Sequence, residues 1–254
     1  MDPGHASVDL YWLPLGAGDN THCVRTNGRA FEWVSARLAR RKSCDLYHAA
    51  LEVTLGSDRF TIEMGPAWGT PEPDRGVVVQ GPVGLRWLGR SRYFRYEVRC
   101  WRNGSIPDID EAVGGARRLS SDLTRAERLL AVAPAFPNAT WGRDELGAGE
   151  MWNSNSLVAW LLSQSDHDMR SIRPPDRGRA PGWSAGLVVA ARNRSSRADE
   201  ADVPGRAAPA VDSEAATDPG GGSGRAVVRA GPPHPTLAPS LGGDRRRGGV
   251  PDAR

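Results

Sequence analysis

The 254 residues carry 33 Arg and Lys against 30 Asp and Glu, for a net charge of +3, and 39% of them are hydrophobic, with 9 Trp among them. That length suffices for one large domain or two small ones with a sizeable core. So small a charge excess does not demand nucleic acid or anionic lipid as partner. The three cysteines, Cys23, Cys44 and Cys100, form no CxxC pair and support neither a zinc site nor a disulfide framework.

In chain order, Val8 to Leu15 is a short apolar run closed by a Gly- and Asn-rich loop, and Asn27-Gly28 is turn chemistry. Ser35 to Lys42 reads as a short exposed helix or a basic loop. Leu46 to Leu55 alternates, with Tyr47, Ala49, Leu51, Val53 and Leu55 on one face and His48, Ala50, Glu52 and Thr54 on the other. Gly56-Ser57-Asp58 turns the chain, and Phe60 to Met64 returns as the second strand of a hairpin. A four-residue loop, Gly56 to Arg59, would place residue 67 opposite His48 and Glu63 about 13 Å along the strand. Gly76 to Gln80 is a brief strand. Ser91 to Trp101 is a clear one, with Phe94, Tyr96, Val98 and Cys100 facing one way and Arg95, Glu97 and Arg99 the other.

Leu119 to Val132 has helical spacing, with Thr124 and Glu127 at capping-box distance. Trp141 to Glu145 is a turn or the wall of a cleft. Asn153 to Leu162 is a helix apolar nearly all round, so it belongs inside the domain. Trp183 to Ala191, with Leu187, Val188 and Val189, reads as a closing strand. From Ser195 onward there is no Trp, Tyr, Phe or Ile. Such a segment buries too little apolar surface to offset the entropy of ordering. The expected organisation is an α+β domain over 7–193, a mostly antiparallel sheet packed on a buried helix, and a disordered Ala/Gly/Pro/Arg-rich tail over 194–254. The N-terminus has no apolar leader pattern and no apolar run approaches 18 residues, so the expected setting is soluble and cytoplasmic.

The chemistry centres on EMWNSNSLVAWLL, Glu150 to Leu162. A helix N-terminus offers unpaired N–H groups and the positive end of the dipole. Ser154 there is either the N-cap or a nucleophile whose oxyanion those N–H groups stabilise. His48 lies on the less apolar face of its strand and Glu63 on the next strand. A carboxylate beside an imidazole fixes its tautomer and supports its protonated form. Asp166-His167-Asp168 and His22-Cys23 are adjacent residues whose side chains diverge, so no metal site is assigned, and no motif calls for a cofactor.

HAALEVTLGSDRFTIE, followed about 90 residues later by NSNSLVAWLL, resembles the circularly permuted papain-like hydrolases, a superfamily of cell-wall endopeptidases and lecithin:retinol acyltransferase-like enzymes. The resemblance implies a permuted papain-like fold acting on a peptide, amide or lipid-ester substrate. It places His48 as base, Glu63 as the residue orienting it, and Ser154 where the family has its Cys nucleophile. Asn155 and Ser156 match the polar positions that follow that Cys. A hydroxyl is far less acidic than a thiol and needs a general base. The same fold without catalysis, binding a peptide or lipid in the cleft, is the alternative. A third reading takes the Arg-rich strand, Arg90 to Arg102 with Tyr93, Phe94 and Tyr96, as a nucleic-acid surface.

Overall fold

The alternating apolar runs form one six-stranded antiparallel sheet in a computed structural model that describes residues 5–17, 32–33, 35–68, 75–106 and 108–201. The strands are β1 (Ala6–Pro14), β2 (Tyr47–Leu55), β3 (Asp58–Pro66), β4 (Val77–Pro82), β5 (Arg95–Arg102) and β6 (Arg117–Ser120), in the spatial order β4-β5-β3-β2-β1-β6. Three helices matter for the site: α1 (Leu123–Val132), α2 (Ser154–Gln164) and α3 (Trp183–Ala201). The fold is therefore α+β. Asn27-Gly28, His22-Cys23 and the tail beyond Ala201 lie outside the described residues.

Period-two patterning decides which side chains meet the helices. Val8, Leu10 and Trp12 of β1, Leu51 and Val53 of β2, Ile62 of β3, and Tyr96 and Val98 of β5 face one way. They share a core with Leu129 of α1 and with Leu157, Trp160 and Leu161 of α2. Every residue of α2 from Asn155 to Gln164 is buried, as its all-round apolar sequence requires. Tyr11, Leu13 and Ala50 face the opposite way, under a smaller cover formed by Ile106, Ile109 and Ala112. β1 is thus covered on both faces.

Several boundaries differ from the sequence expectation. The hairpin loop has two residues, Gly56 and Ser57, because Leu55 pairs with Asp58. Gly56 has φ 59°, which a two-residue hairpin loop asks of its first position. Leu51 pairs with Ile62 as the last pair of the ladder, so Glu63 follows just beyond it and alternates onto the His48 face. The fifth strand starts at Arg95 rather than Ser91, after two 3-10 turns over Arg86–Arg90 and Arg92–Phe94. Leu119 belongs to β6, and α1 begins at Leu123, capped by Asp122, which accepts from Arg125 N at 2.8 Å. Thr124 and Glu127 thus fall inside α1 and do not form its capping box.

The largest correction concerns Trp183 to Ala191, which is helical and not a closing strand; α3 runs past residue 193 to Ala201. Small residues explain it. Ala185 and Ala190 are fully buried, and Gly186 lies so close to α2 that a Cβ there would be 2.3 Å from Ser156 O. A helix with that stripe can approach another almost backbone to backbone, and the Leu187-Val188-Val189 run is read equally well by either periodicity.

Candidate functional site

The β2–β3 ladder ends at Leu51 and Ile62, yet both strands continue, β2 back to Tyr47 alongside β1 and β3 on to Pro66 alongside β5. Where they part, a cavity of about 150 Å³ opens. His48, Ala49 and Ala50 line it from β2, and Glu63 and Met64 from β3. Ser154 closes it from the first position of α2, and Ala17, Ile106 and Asp108 border it from loops. The three residues singled out in the sequence, His48, Glu63 and Ser154, therefore share one cavity.

The start of α2 is fixed by its neighbours. Asn153, not Ser154, is the N-cap: its Oδ1 accepts from Asn155 N at 3.0 Å and Ser156 N at 3.3 Å. Ser156 completes the capping box by accepting from Asn153 N at 3.2 Å, and its hydroxyl donates to Gly182 O at 2.8 Å. Asn155 Nδ2 donates to Tyr47 O at 3.0 Å and to Pro181 O at 2.9 Å. That first bond ties the helix start to the residue before His48. The cap role expected of Ser154 is thus filled by its neighbour, because Asn and Ser are about equally good N-caps. Ser154 is half-buried, and its hydroxyl has no hydrogen-bond partner among the described residues. The cap uses the N–H groups of Asn155 and Ser156, which leaves the N–H of Ser154 outside it.

His48 keeps part of its surface open to the cavity. The surrounding protein is nevertheless dense, and burial pushes its pKa down to about 4. Its imidazole is therefore neutral at pH 7. No hydrogen bond reaches its ring nitrogens from the described residues. Burial also raises the Glu63 carboxyl, against the opposing pull of Arg99.

Arg99, with its side chain 6% exposed, is the residue the sequence reading left without a role. Its Nη1 donates to Glu63 Oε1 at 3.0 Å, its Nη2 to Pro66 O at 2.8 Å, and its Nε to Glu97 Oε2 at 3.4 Å. Glu97 is held in turn by Arg75 and by Gln80 Nε2. The signal was present in the sequence: Arg95, Glu97 and Arg99 alternate on the face that Glu63 shares once the strands are paired. Glu63 thus reaches the cavity as half of an ion pair, with Oε1 engaged by Arg99. Ile106 and Asp108 border the cavity too; they sit between β5 and β6, where no periodic pattern marks them.

The remaining candidates disperse. Trp141 bridges Val83 and Trp152, and Glu145 is bonded to Thr140, so this turn does not border the Ser154 cavity. Asp166 pairs with Arg128, His167 Nδ1 lies 3.0 Å from Ser165 Oγ, and Asp168 accepts from Arg170 N, so the triplet points three ways. Along the Arg-rich strand Arg99 is internal and Arg102 pairs with Asp58 at 2.6 Å. Among the described residues no helix is long and apolar enough to cross a membrane. No family model, curated protein or solved structure matches the chain.

Proposed function

We propose that the cavity at the parting of β2 and β3 is the site of an amide or ester hydrolase, or of an acyltransferase, built on a permuted papain-like plan. The observation that carries this reading is that a cap-free Ser154 at a helix N-terminus borders the same cavity as His48 and Glu63. Ser154 Oγ attacks the substrate carbonyl carbon as its proton passes to a ring nitrogen of His48. The Ser154 N–H and the dipole of α2 stabilise the oxygen that gains charge. His48 returns the proton to the leaving amine or alcohol, and water or an acceptor then takes the acyl group. The neutral state of His48 suits a proton acceptor. The burial that keeps it neutral also makes the imidazolium costly, and the Glu63 carboxylate is the charge that offsets it. The small cavity suits the acyl or amide unit of a peptide or lipid ester, and the cytoplasmic setting expected from the sequence belongs to the same proposal.

A second reading, a binding domain without catalysis, is favoured by one observation: Ser154 and His48 have no hydrogen bond to each other among the described residues. A fluorophosphonate probe separates the two. Stoichiometric labelling of Ser154, seen by intact mass and peptide mapping and lost in His48→Gln, supports the hydrolase. A protein that stays unlabelled while remaining folded supports the binding domain.

A further inference from the structure

The connection between β4 and β5 brings exposed aromatic and Arg side chains together. Residues 81–96, GPVGLRWLGRSRYFRY, contain no acidic residue and four Arg. Within it Trp87 is 68% exposed, Tyr93 67%, Phe94 44% and Leu85 42%. Arg86, Arg90 and Arg92 are exposed beside them. Exposed large apolar side chains contiguous in space mark an interaction site far more often than isolated ones do. Trp68, 50% exposed, follows Ala67, whose N donates to Arg95 O at 2.9 Å.

Part of the backbone of this connection is paired within itself. Val83 N donates to Phe94 O at 2.8 Å, Leu88 N to Leu85 O at 3.0 Å, Ser91 N to Leu88 O at 2.9 Å and Phe94 N to Ser91 O at 3.0 Å. Each polar group already paired lowers the cost of entering a poorly hydrated layer. Trp and Tyr favour the headgroup level of a bilayer, and neighbouring Arg side chains add attraction to anionic lipid. Glu145 lies near enough to feel Arg86, but its carboxylate is bonded to Thr140 N at 2.8 Å and Thr140 Oγ1 at 2.7 Å.

We propose that this two-turn loop docks the protein on the surface of an anionic phospholipid bilayer, with Trp87, Tyr93 and Phe94 entering the headgroup layer and Arg86, Arg90 and Arg92 meeting lipid phosphates. The small net charge of the chain does not oppose this, because screening makes the local cluster decisive. Base stacking on single-stranded nucleic acid is the rival use of aromatic and Arg residues. It is disfavoured because the Arg92 guanidinium already covers the Tyr93 ring, 5.9 Å from its centroid, and because Leu85 has no partner in a base. The loop leads into β5 where Tyr96 pairs with Pro66, three residues beyond Glu63 on β3. It therefore lies beyond the same end of the sheet as the cavity. The proposal stands whether or not Ser154 is catalytic.

The test is sedimentation of the full chain with vesicles of phosphatidylcholine alone or with a rising fraction of phosphatidylglycerol. The expected result is partitioning onto phosphatidylglycerol-containing vesicles only. Arg90→Gln with Arg92→Gln should weaken it about thirtyfold, and Trp87→Ala with Tyr93→Ala about tenfold or more, both with the parent's near-ultraviolet circular dichroism. Tyr93→Ala alone takes the place of a double variant that fails to fold. Absence of binding to phosphatidylglycerol vesicles overturns the proposal. So does tighter binding of random single-stranded DNA than of the vesicles, itself dependent on Trp87 and Tyr93, which would assign the surface to nucleic acid.

Discussion

Replacing Arg99 by Met removes a buried guanidinium while keeping much of its volume. In the parent, Arg99 holds Glu63 at 3.0 Å, Glu97 at 3.4 Å and the Pro66 carbonyl at 2.8 Å. The two carboxylates fare differently without it. Glu97 retains Arg75, with two bonds of 2.7 Å, and Gln80 at 3.2 Å. Glu63 retains no hydrogen-bond partner among the described residues, with its side chain only 14% exposed. Removing one member of a buried pair typically costs about 3–5 kcal/mol, because the survivor is left uncompensated. The expected loss is at the lower end of that range, since Glu63 borders a cavity that water can enter. The pH dependence follows from the direction of its pKa. Burial already raises the Glu63 carboxyl above its ordinary value, so its contribution is fully present below the unfolded-state pKa and is lost as pH rises through the folded-state one. Arg99→Met raises the folded-state value further, so the deficit against the parent is largest near neutral pH and shrinks toward about pH 5. Urea unfolding at several pH values measures it, and Glu63→Gln in the variant background should recover most of the loss. A cost below about 1 kcal/mol that neither pH nor Glu63→Gln alters would refute the account of Arg99 as the partner of a buried carboxylate.

Two further outcomes follow from the same geometry. Burial holds His48 near 4 rather than 6.5, so the stability it supports is present above the unfolded-state value and is lost as pH falls through about 4. His48→Gln should therefore flatten the acid limb of the stability curve by on the order of 3 kcal/mol; equal slopes in parent and variant would show that His48 titrates normally. Gly186→Ala pits two effects against each other. Ala gains about 1 kcal/mol of helix propensity, but its Cβ would lie 2.3 Å from Ser156 O and 2.9 Å from Ala159 Cβ, an overpacking that costs about 1–3 kcal/mol. The net expectation is destabilisation in thermal and urea melts, and a variant more stable than the parent would contradict the close α2–α3 approach.

Much of the sheet is legible in the sequence because its strands obey a strict period of two. The division of β2 into a Tyr47/Leu51 face and a His48/Glu52 face needs nothing beyond alternation, and the all-round apolar character of 157–162 is enough to bury α2. What escapes depends on single-residue choices or on tertiary contact. A loop of two residues rather than four shifts the register of β3 against β2 by two positions, and nothing local separates the two lengths in GSDR. Asn153 and Ser154 have near-equal cap preference, so sequence alone cannot say which one is spent on the backbone. Arg99 emerges only when β3 is laid against β5. The helical state of 183–191 rests on Gly186 meeting the Ser156 carbonyl, a contact between segments thirty residues apart. The cavity itself is not written in any motif, for it exists because two paired strands stop pairing.

The division of labour at the start of α2 bears on how this chain can change over generations. Asn153 and Ser156 carry the cap, and Asn155 carries the tether to Tyr47; among the described residues the hydroxyl at 154 takes part in neither. Drift at 153, 155 or 156 would be punished through folding, whatever the protein does. At 154 the hydrogen-bonding scheme of the helix start sets no such demand. A lineage could exchange hydroxyl for thiol there, or discard the group altogether, without redesigning the scaffold. The hydroxyl at 154 is thus spared by the helix cap, while its three neighbours are a record of architecture.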